Sequence, residues 1–152
     1  PLSLRVKLAG GHTLTEGLAD TEYGVGETDP YCYADDPAAT VLGTLPDGKP
    51  GLVARDFGDW TAIYSSAPML PIGLMRNIAQ AAGVHLYIDT PDVVWASGDL
   101  LAVCVKDPGK REVRLPAPAT VKDLYSGETL GENADHFDAD FADRATRLFS
   151  VK

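Results

Sequence analysis

Leu2, Leu4, Val6 and Leu8 alternate with Ser3, Arg5 and Lys7, the period of a strand with one face buried. The pattern then lapses. Residues 9–39 are rich in Gly, Asp, Glu, Thr and Pro and predict a long irregular excursion, with one short helical turn near "TLTEGL". Three strands follow, at 39–45, 51–57 and 60–66. "PDGKPG" turns the chain between the first two, and Gly58-Asp59 makes a two-residue hairpin between the second pair. Beyond them, Ile72, Met75, Ile78, Ala79 and Ala82 recur at helical spacing, with Pro71 in the first turn and Gly83 at the left-handed terminating position. A helix laid across a sheet is the expected result.

After Gly83 the texture changes. "VHLYI", "DVVWASGD", "LLAVCVK", "REVRLP", "TVKDLYS", "HFDADFA" and "TRLFSVK" are strand-sized segments separated by turn residues, which predicts an antiparallel sandwich. Asp107-Pro108-Gly109-Lys110 is expected to link a hairpin. In "HFDADFA", Phe137, Ala139 and Phe141 share one face, and Asp138 and Asp140 share the other. The boundary falls near Gly83–Asp89, so residues 1–83 and 84–152 are expected to form two regions. There is no internal repeat and no low-complexity stretch.

The 152 residues carry a formal charge of −9, spread over both regions, with no basic stripe. Such a field repels phosphate backbones and argues against a nucleic-acid partner. The apolar runs are strand-length, which argues against a membrane span. The N-terminus has neither a signal-peptide pattern nor an initiator methionine, which fits a piece of a longer chain and a cytoplasmic location. Cys32 and Cys104 have no metal-type spacing and read as buried free thiols.

Candidate chemistry is sparse. Ser65 and Ser66 sit where a strand turns towards a helix, but the flanking glycines of a nucleophile elbow are missing. His12, His85 and His136 are the only histidines available as a base, and nothing in their spacing joins them to a serine. Asp138, Asp140 and Asp143 lack the glycine and closing glutamate of a calcium loop. Asp35-Asp36-Pro37 reads as turn chemistry. There is no Gly-rich phosphate loop. No catalytic, cofactor or metal residue is therefore assigned. Among the aromatics, Trp60 and Trp95 are candidate sugar platforms, and Tyr31 and Tyr33, flanking Cys32, are candidate contacts with another chain.

The stretch "ADDPAATVLGTLPDGKPGLVARDFGDWTAIYSSAPMLPIGLMRNIAQAAGVHLYID" resembles the tail of the trimerisation domain of glycoside hydrolase family 42 β-galactosidases, a non-catalytic cousin of the class I glutamine amidotransferases. "REVRLPAPATVKDLYSGETLG" and "FDADFADRATRLFSVK" resemble the small β domain that ends many such hydrolases. The resemblance covers about residues 35–152. It implies an α+β chain, with a partial α/β layer of amidotransferase or flavodoxin type followed by an antiparallel β-sandwich. It also places Ser65-Ser66-Ala67-Pro68 where an active amidotransferase carries His-Pro-Glu, so that chemistry would be lost. The family's catalytic barrel has no counterpart here, since 152 residues with no βαβα alternation cannot build one.

The expected function is thus a non-catalytic accessory region of a β-galactosidase-type protein, partnered by an upstream barrel or by copies of itself. The alternative is a stand-alone carbohydrate-binding module using Trp60 or Trp95; an independent small hydrolase ranks last. A sheet cut to its final strands would also expose an edge. Strand 2–8 and the 9–39 loop are the material to cover it, by self-association or within the chain.

Overall fold

A computed structural model describes residues 2–152. The chain divides into two compact units, the first ending at Val84 and the second running from His85 to Lys152.

The first unit is a five-stranded sheet: β1 (Leu2–Leu8), β2 (Glu22–Thr28), β3 (Thr40–Thr44), β4 (Pro50–Asp56) and β5 (Thr61–Ser65), in the spatial order β2-β1-β3-β4-β5. Every pairing in it is antiparallel. This corrects the expected α/β layer of amidotransferase or flavodoxin type: the chain is mostly β, with one α-helix, α1 (Ile72–Ala81), among the described residues. The reason is connection length. Parallel neighbours need a crossover of a dozen residues or more, whereas β3, β4 and β5 are joined by turns of a few residues. The equivalence of Ser65–Pro68 with an amidotransferase His-Pro-Glu falls with that layer.

The edge beside β1 is closed within the chain. The 9–39 excursion is not wholly irregular: after a 3-10 turn at Thr13–Thr15 it supplies β2, which pairs along β1 from Leu2 to Lys7. Gly24 permits that pairing, with φ at +116°. A Cβ there would overlap the Leu4 carbonyl oxygen and stand 2.9 Å from the Ala67 Cβ. Gly24→Ala is therefore expected to pry β2 from β1 and cost about 2 kcal/mol or more. Loss of amide protection along β1, with a lower denaturation midpoint, is the result to look for; an unchanged midpoint would show that the strand pair is looser than this packing.

Helix α1 covers part of the sheet through a face rotated from the expected one. Leu74 is fully buried and Ile78 packs on the same core, while Ile72 and Met75 are exposed. Two contacts select this rotation. Asn77 Nδ2 donates to the carbonyls of Leu14 and Glu16 at 3.1 Å each. Gly73 leaves room for Leu18, which would lie 2.9 Å from a Cβ there. Gly83 (φ +72°) ends the helix as expected, with Val84 N donating to Ala79 O.

The second unit is also one five-stranded antiparallel sheet, built from β6 (Val93–Ser97), β7 (Leu100–Cys104), β8 (Gly109–Asp123), β9 (Thr129–Phe141) and β10 (Thr146–Val151), in the order β6-β7-β10-β8-β9. Three expectations change. Residues 84–88 form no strand. "REVRLP" and "TVKDLYS" belong to a single long strand, β8. Asp107–Lys110 links no hairpin, because β7 pairs with β6 and β10 and not with β8. The arrangement is nevertheless sandwich-like. The β8–β9 ladder breaks register between Arg114 and Ala119, and residues from both sides of the break enter one core. Phe137, from the outer half, packs edge-on against Phe149 of β10 at 4.9 Å.

Candidate functional site

A well-formed concavity lies in the first unit. Antiparallel register sets Thr40, Ala54 and Ile63 side by side across β3, β4 and β5, and Asp56 beside Thr61 in the next pair. These residues line a cleft of about 630 Å³, walled by His12–Leu14 on one side and by Ile78, Ala81 and Ala82 of the helix end on another. Space remains because Ala54, Ala81 and Ala82 carry only a methyl where larger side chains would fill it. Gly58, Asp59 and Trp60, at the tip of the β4–β5 hairpin, complete the lining. The tip is held by Asp56, whose Oδ1 accepts from Gly58 N at 2.8 Å, and by Phe57 N donating to Trp60 O at 2.9 Å.

The cleft carries acceptors and hydroxyls: two carboxylates, three threonines and His12, with no lysine or arginine. His12 Nδ1 accepts from Leu14 N at 3.1 Å, so the neutral ring keeps its proton on Nε2.

Trp60 is 59% exposed, and its indole stacks on Phe57 at 4.3 Å with planes 10° apart. Arg55 lies over Phe57 and is held by both carboxylate oxygens of Asp36. Trp95 lies in the other unit, on edge strand β6, and is 60% exposed. Tyr31 and Tyr33 are tied into their own chain. Tyr31 donates to Asp47 Oδ2 at 2.7 Å, and Lys49 Nζ donates to Tyr31 Oη at 2.9 Å while lying 4.4 Å from the centre of the Tyr33 ring. The bond from Tyr31 holds the Asp47 carboxyl below its ordinary range, and the same hydroxyl raises the Lys49 ammonium.

The serines have other work. Ser65 Oγ donates to Ala67 O at 2.7 Å, so it accepts from the Tyr23 hydroxyl, also at 2.7 Å. Burial pushes the Tyr23 phenol up, which keeps that donor protonated. A hydroxyl bonded to a carbonyl and a phenol has no base to activate it. Ser66 Oγ is buried without a partner among the described residues. Cys32 is exposed and Cys104 half-buried, both free, which corrects the expectation of buried thiols. Asp138, at the proposed wet face of β9, pairs with Lys110 at 2.7 Å.

A second concavity, of about 320 Å³, gathers His85, Glu112, Arg114, Leu115, Asp135 and His136 in the second unit. Its charges are spent on one another. Arg114 pairs with Asp89 and Glu112, and the Asp135 carboxylate holds the His136 imidazole above its usual pKa. Among the described residues no group of three or more His, Cys, Asp or Glu is placed to hold a metal, and no helix is long and apolar enough to cross a membrane.

One further surface stands out. Cross-strand register puts Val93, Cys104 and Thr146 in one row of the second sheet, Trp95, Ala102 and Leu148 in the next, and Ser97, Leu100 and Ser150 in a third. These nine outward positions include no charged residue, in a chain of charge −9. Val93, Trp95 and Leu100 are all exposed.

No protein-family model matches the chain, and no curated protein matches it in sequence. Solved structures do. The β-galactosidase from Bacillus circulans sp. alkalophilus superposes with a TM-score of 0.63 at 18% identity, covering 97% of this chain. The cold-adapted β-galactosidase from Rahnella sp. R3 superposes with a TM-score of 0.51 at 15% identity, again over 97%. The chain spans 22% of the length of each. At these identities the likeness is one of fold.

Proposed function

We propose that this chain is a non-catalytic accessory part of a β-galactosidase-type glycoside hydrolase, and that it serves assembly. The observation that carries this reading is the fold match: both units together align with β-galactosidase chains, yet account for only 22% of them. The resemblance of the second unit to the small β domain of family 42 enzymes points the same way. The engaged Ser65 hydroxyl and the mutually paired charges of the second concavity support the non-catalytic part. The two free thiols fit a reducing compartment such as the cytoplasm.

Assembly has a surface to use. Exposed apolar surface marks interaction sites, and the uncharged face of β6, β7 and β10 exposes Val93, Trp95 and Leu100. It would dock on the barrel of the larger protein or, when the chain is alone, on a second copy. Sedimentation at micromolar concentration is expected to show self-association that Trp95→Glu reverses to monomers. The chain is also expected to leave nitrophenyl β-galactoside intact. A wild-type monomer would remove the assembly role of this face, and turnover abolished by a point mutation in the chain would overturn the non-catalytic reading.

A further inference from the structure

The cleft over β3, β4 and β5 has a chemistry that the assembly role does not use. Its volume falls within the ~300–1,000 Å³ typical of small-molecule sites, and its lining discriminates between ligand classes. Asp56 Oδ2 and both oxygens of Asp59 have no partner among the described residues, so they are open to accept hydrogen bonds. Thr13, Thr40 and Thr61 offer hydroxyls that donate or accept, and His12 offers an Nε2–H in its neutral form. Between these polar groups lie Leu14, Ala54, Ile63 and Ile78, which suit C–H surface, with Trp60 at the hairpin tip.

Anions are disfavoured twice, by the two carboxylates and by the absence of any lysine or arginine from the lining. A purely apolar ligand would leave both carboxylates desolvated and unpaired, which is costly. A neutral polyhydroxylated ligand satisfies the whole lining: its hydroxyls donate to Asp56 and Asp59 and exchange hydrogen bonds with the threonines, while its C–H patches cover the alanine and isoleucine floor.

We infer that this cleft binds a neutral saccharide, as a non-catalytic sugar site on the accessory part. The inference rests on the accessory reading above and names the ligand class of its cleft. Part of the cleft is built in advance. The Asp56–Gly58 bond fixes the hairpin tip, and the stack of Trp60 on Phe57 limits motion of the indole before any ligand arrives.

The test titrates the full 152-residue chain with lactose, cellobiose and maltotriose, with galacturonate and putrescine as the anionic and cationic arms. Calorimetry and the two tryptophan indole N–H signals in a nitrogen-correlated NMR spectrum give the readouts. The expected result is saturable binding of at least one neutral sugar that shifts the Trp60 signal and leaves that of Trp95 in place. Ala81→Trp, at an exposed helix position on the cleft wall, should abolish binding without lowering the denaturation midpoint. Asp56→Asn and Asp59→Asn should each weaken it roughly tenfold, the loss of a charge-assisted hydrogen bond. Should Asp56→Asn disturb the hairpin, Asp59→Asn and Ala81→Trp still decide the matter. No saturable response to any neutral sugar, binding untouched by Ala81→Trp, or a preference for putrescine or galacturonate would each overturn the inference. None of these readouts depends on hydrolysis or self-association. Failure here therefore leaves the accessory reading to its sedimentation test, and a monomer that binds sugar would overturn only the assembly role.

Discussion

Phe137→Asp is expected to unfold the second unit, while Asp138→Ala, one residue away, is expected to leave it almost unchanged. Phe137 is 3% exposed, and its ring packs on Phe149, which has no exposed surface at all. Removing a buried phenylalanine costs about 3–5 kcal/mol. An aspartate in its place must also desolvate a carboxylate with no partner, or take up a proton to avoid doing so. Domains are stable by about 5–15 kcal/mol in total, and a unit of this size has little reserve. Asp138 points to water and pairs with an exposed Lys110, an interaction worth about 0–1 kcal/mol. Chemical denaturation followed by circular dichroism separates the two. Equal shifts in midpoint would mean that β9 presents its other face to the core.

Asp123→Ala should be nearly as damaging, for an electrostatic reason. Asp123 is 1% exposed and sits where β8 turns towards β9. Its Oδ1 accepts from the backbone N–H groups of Tyr125 and Ser126 at 2.8 Å each, and its Oδ2 accepts from Arg147 Nε at 2.7 Å. Arg147 in turn lies over the rings of Phe141 and Phe149 and donates to Asp140 O at 2.9 Å. Alanine would orphan two turn donors and a largely enclosed guanidinium, and breaking such a pair costs about 3–5 kcal/mol. Arg147→Met should cost less, because the carboxylate keeps its two backbone donors and the methionine fills the place between the phenylalanines. A double-mutant cycle measures the coupling, and additive losses would show that the two residues act separately.

The same carboxylate sets an acid limit on stability. Burial works to raise the Asp123 pKa, but the Ser126 N–H, Arg147 and the Tyr125 N–H outweigh it, so the group titrates below its ordinary value of 3.8. Asp92 behaves alike. Burial opposes its charge, and Arg111, Thr90 and the Lys106 N–H overcome it. A carboxyl depressed by folding stabilises fully above its unfolded pKa, and the contribution is lost as pH falls through the folded one. These two groups therefore leave the midpoint level from neutrality to about pH 4–5 and lower it below that, where protons bind the unfolded chain first. Asp123→Asn should flatten the acid limb. A wild-type midpoint unchanged between about pH 4 and 2 would contradict the assignment.

Much of this fold is legible in the chain because some segments have only one compatible period. β9 is the clearest case: Phe137, Ala139 and Phe141 are buried and Asp138 and Asp140 exposed, as strict alternation requires. β1, β3, β4, β5 and the end of α1 at Gly83 are likewise written in local pattern and turn chemistry. β2 is not, since "EYGVGET" holds two glycines and two glutamates and becomes a strand only because β1 offers it a partner. Pro116 and Pro118 read as a break in β8. Yet they lie where its ladder with β9 shifts register, so their missing N–H groups forfeit no ladder bond there.

What the sequence by itself determined is therefore the set of strands with a clean binary period, the change of texture near residue 84, and the absence of a familiar catalytic motif. Tertiary structure decided the rest. It chose antiparallel neighbours over a parallel layer, turned α1 onto Leu74 and Asn77, and closed the β1 edge with β2. It alone made the cleft, by bringing residues 12–14 and the helix end over Thr40, Ala54, Ile63 and the β4–β5 hairpin tip, and the uncharged face, from three strands that share a register. The physical reason is range. Local sequence encodes which side of an element prefers water, whereas a site needs side chains distant in the chain to meet, and only the pairing of strands and the docking of the helix settle which ones do.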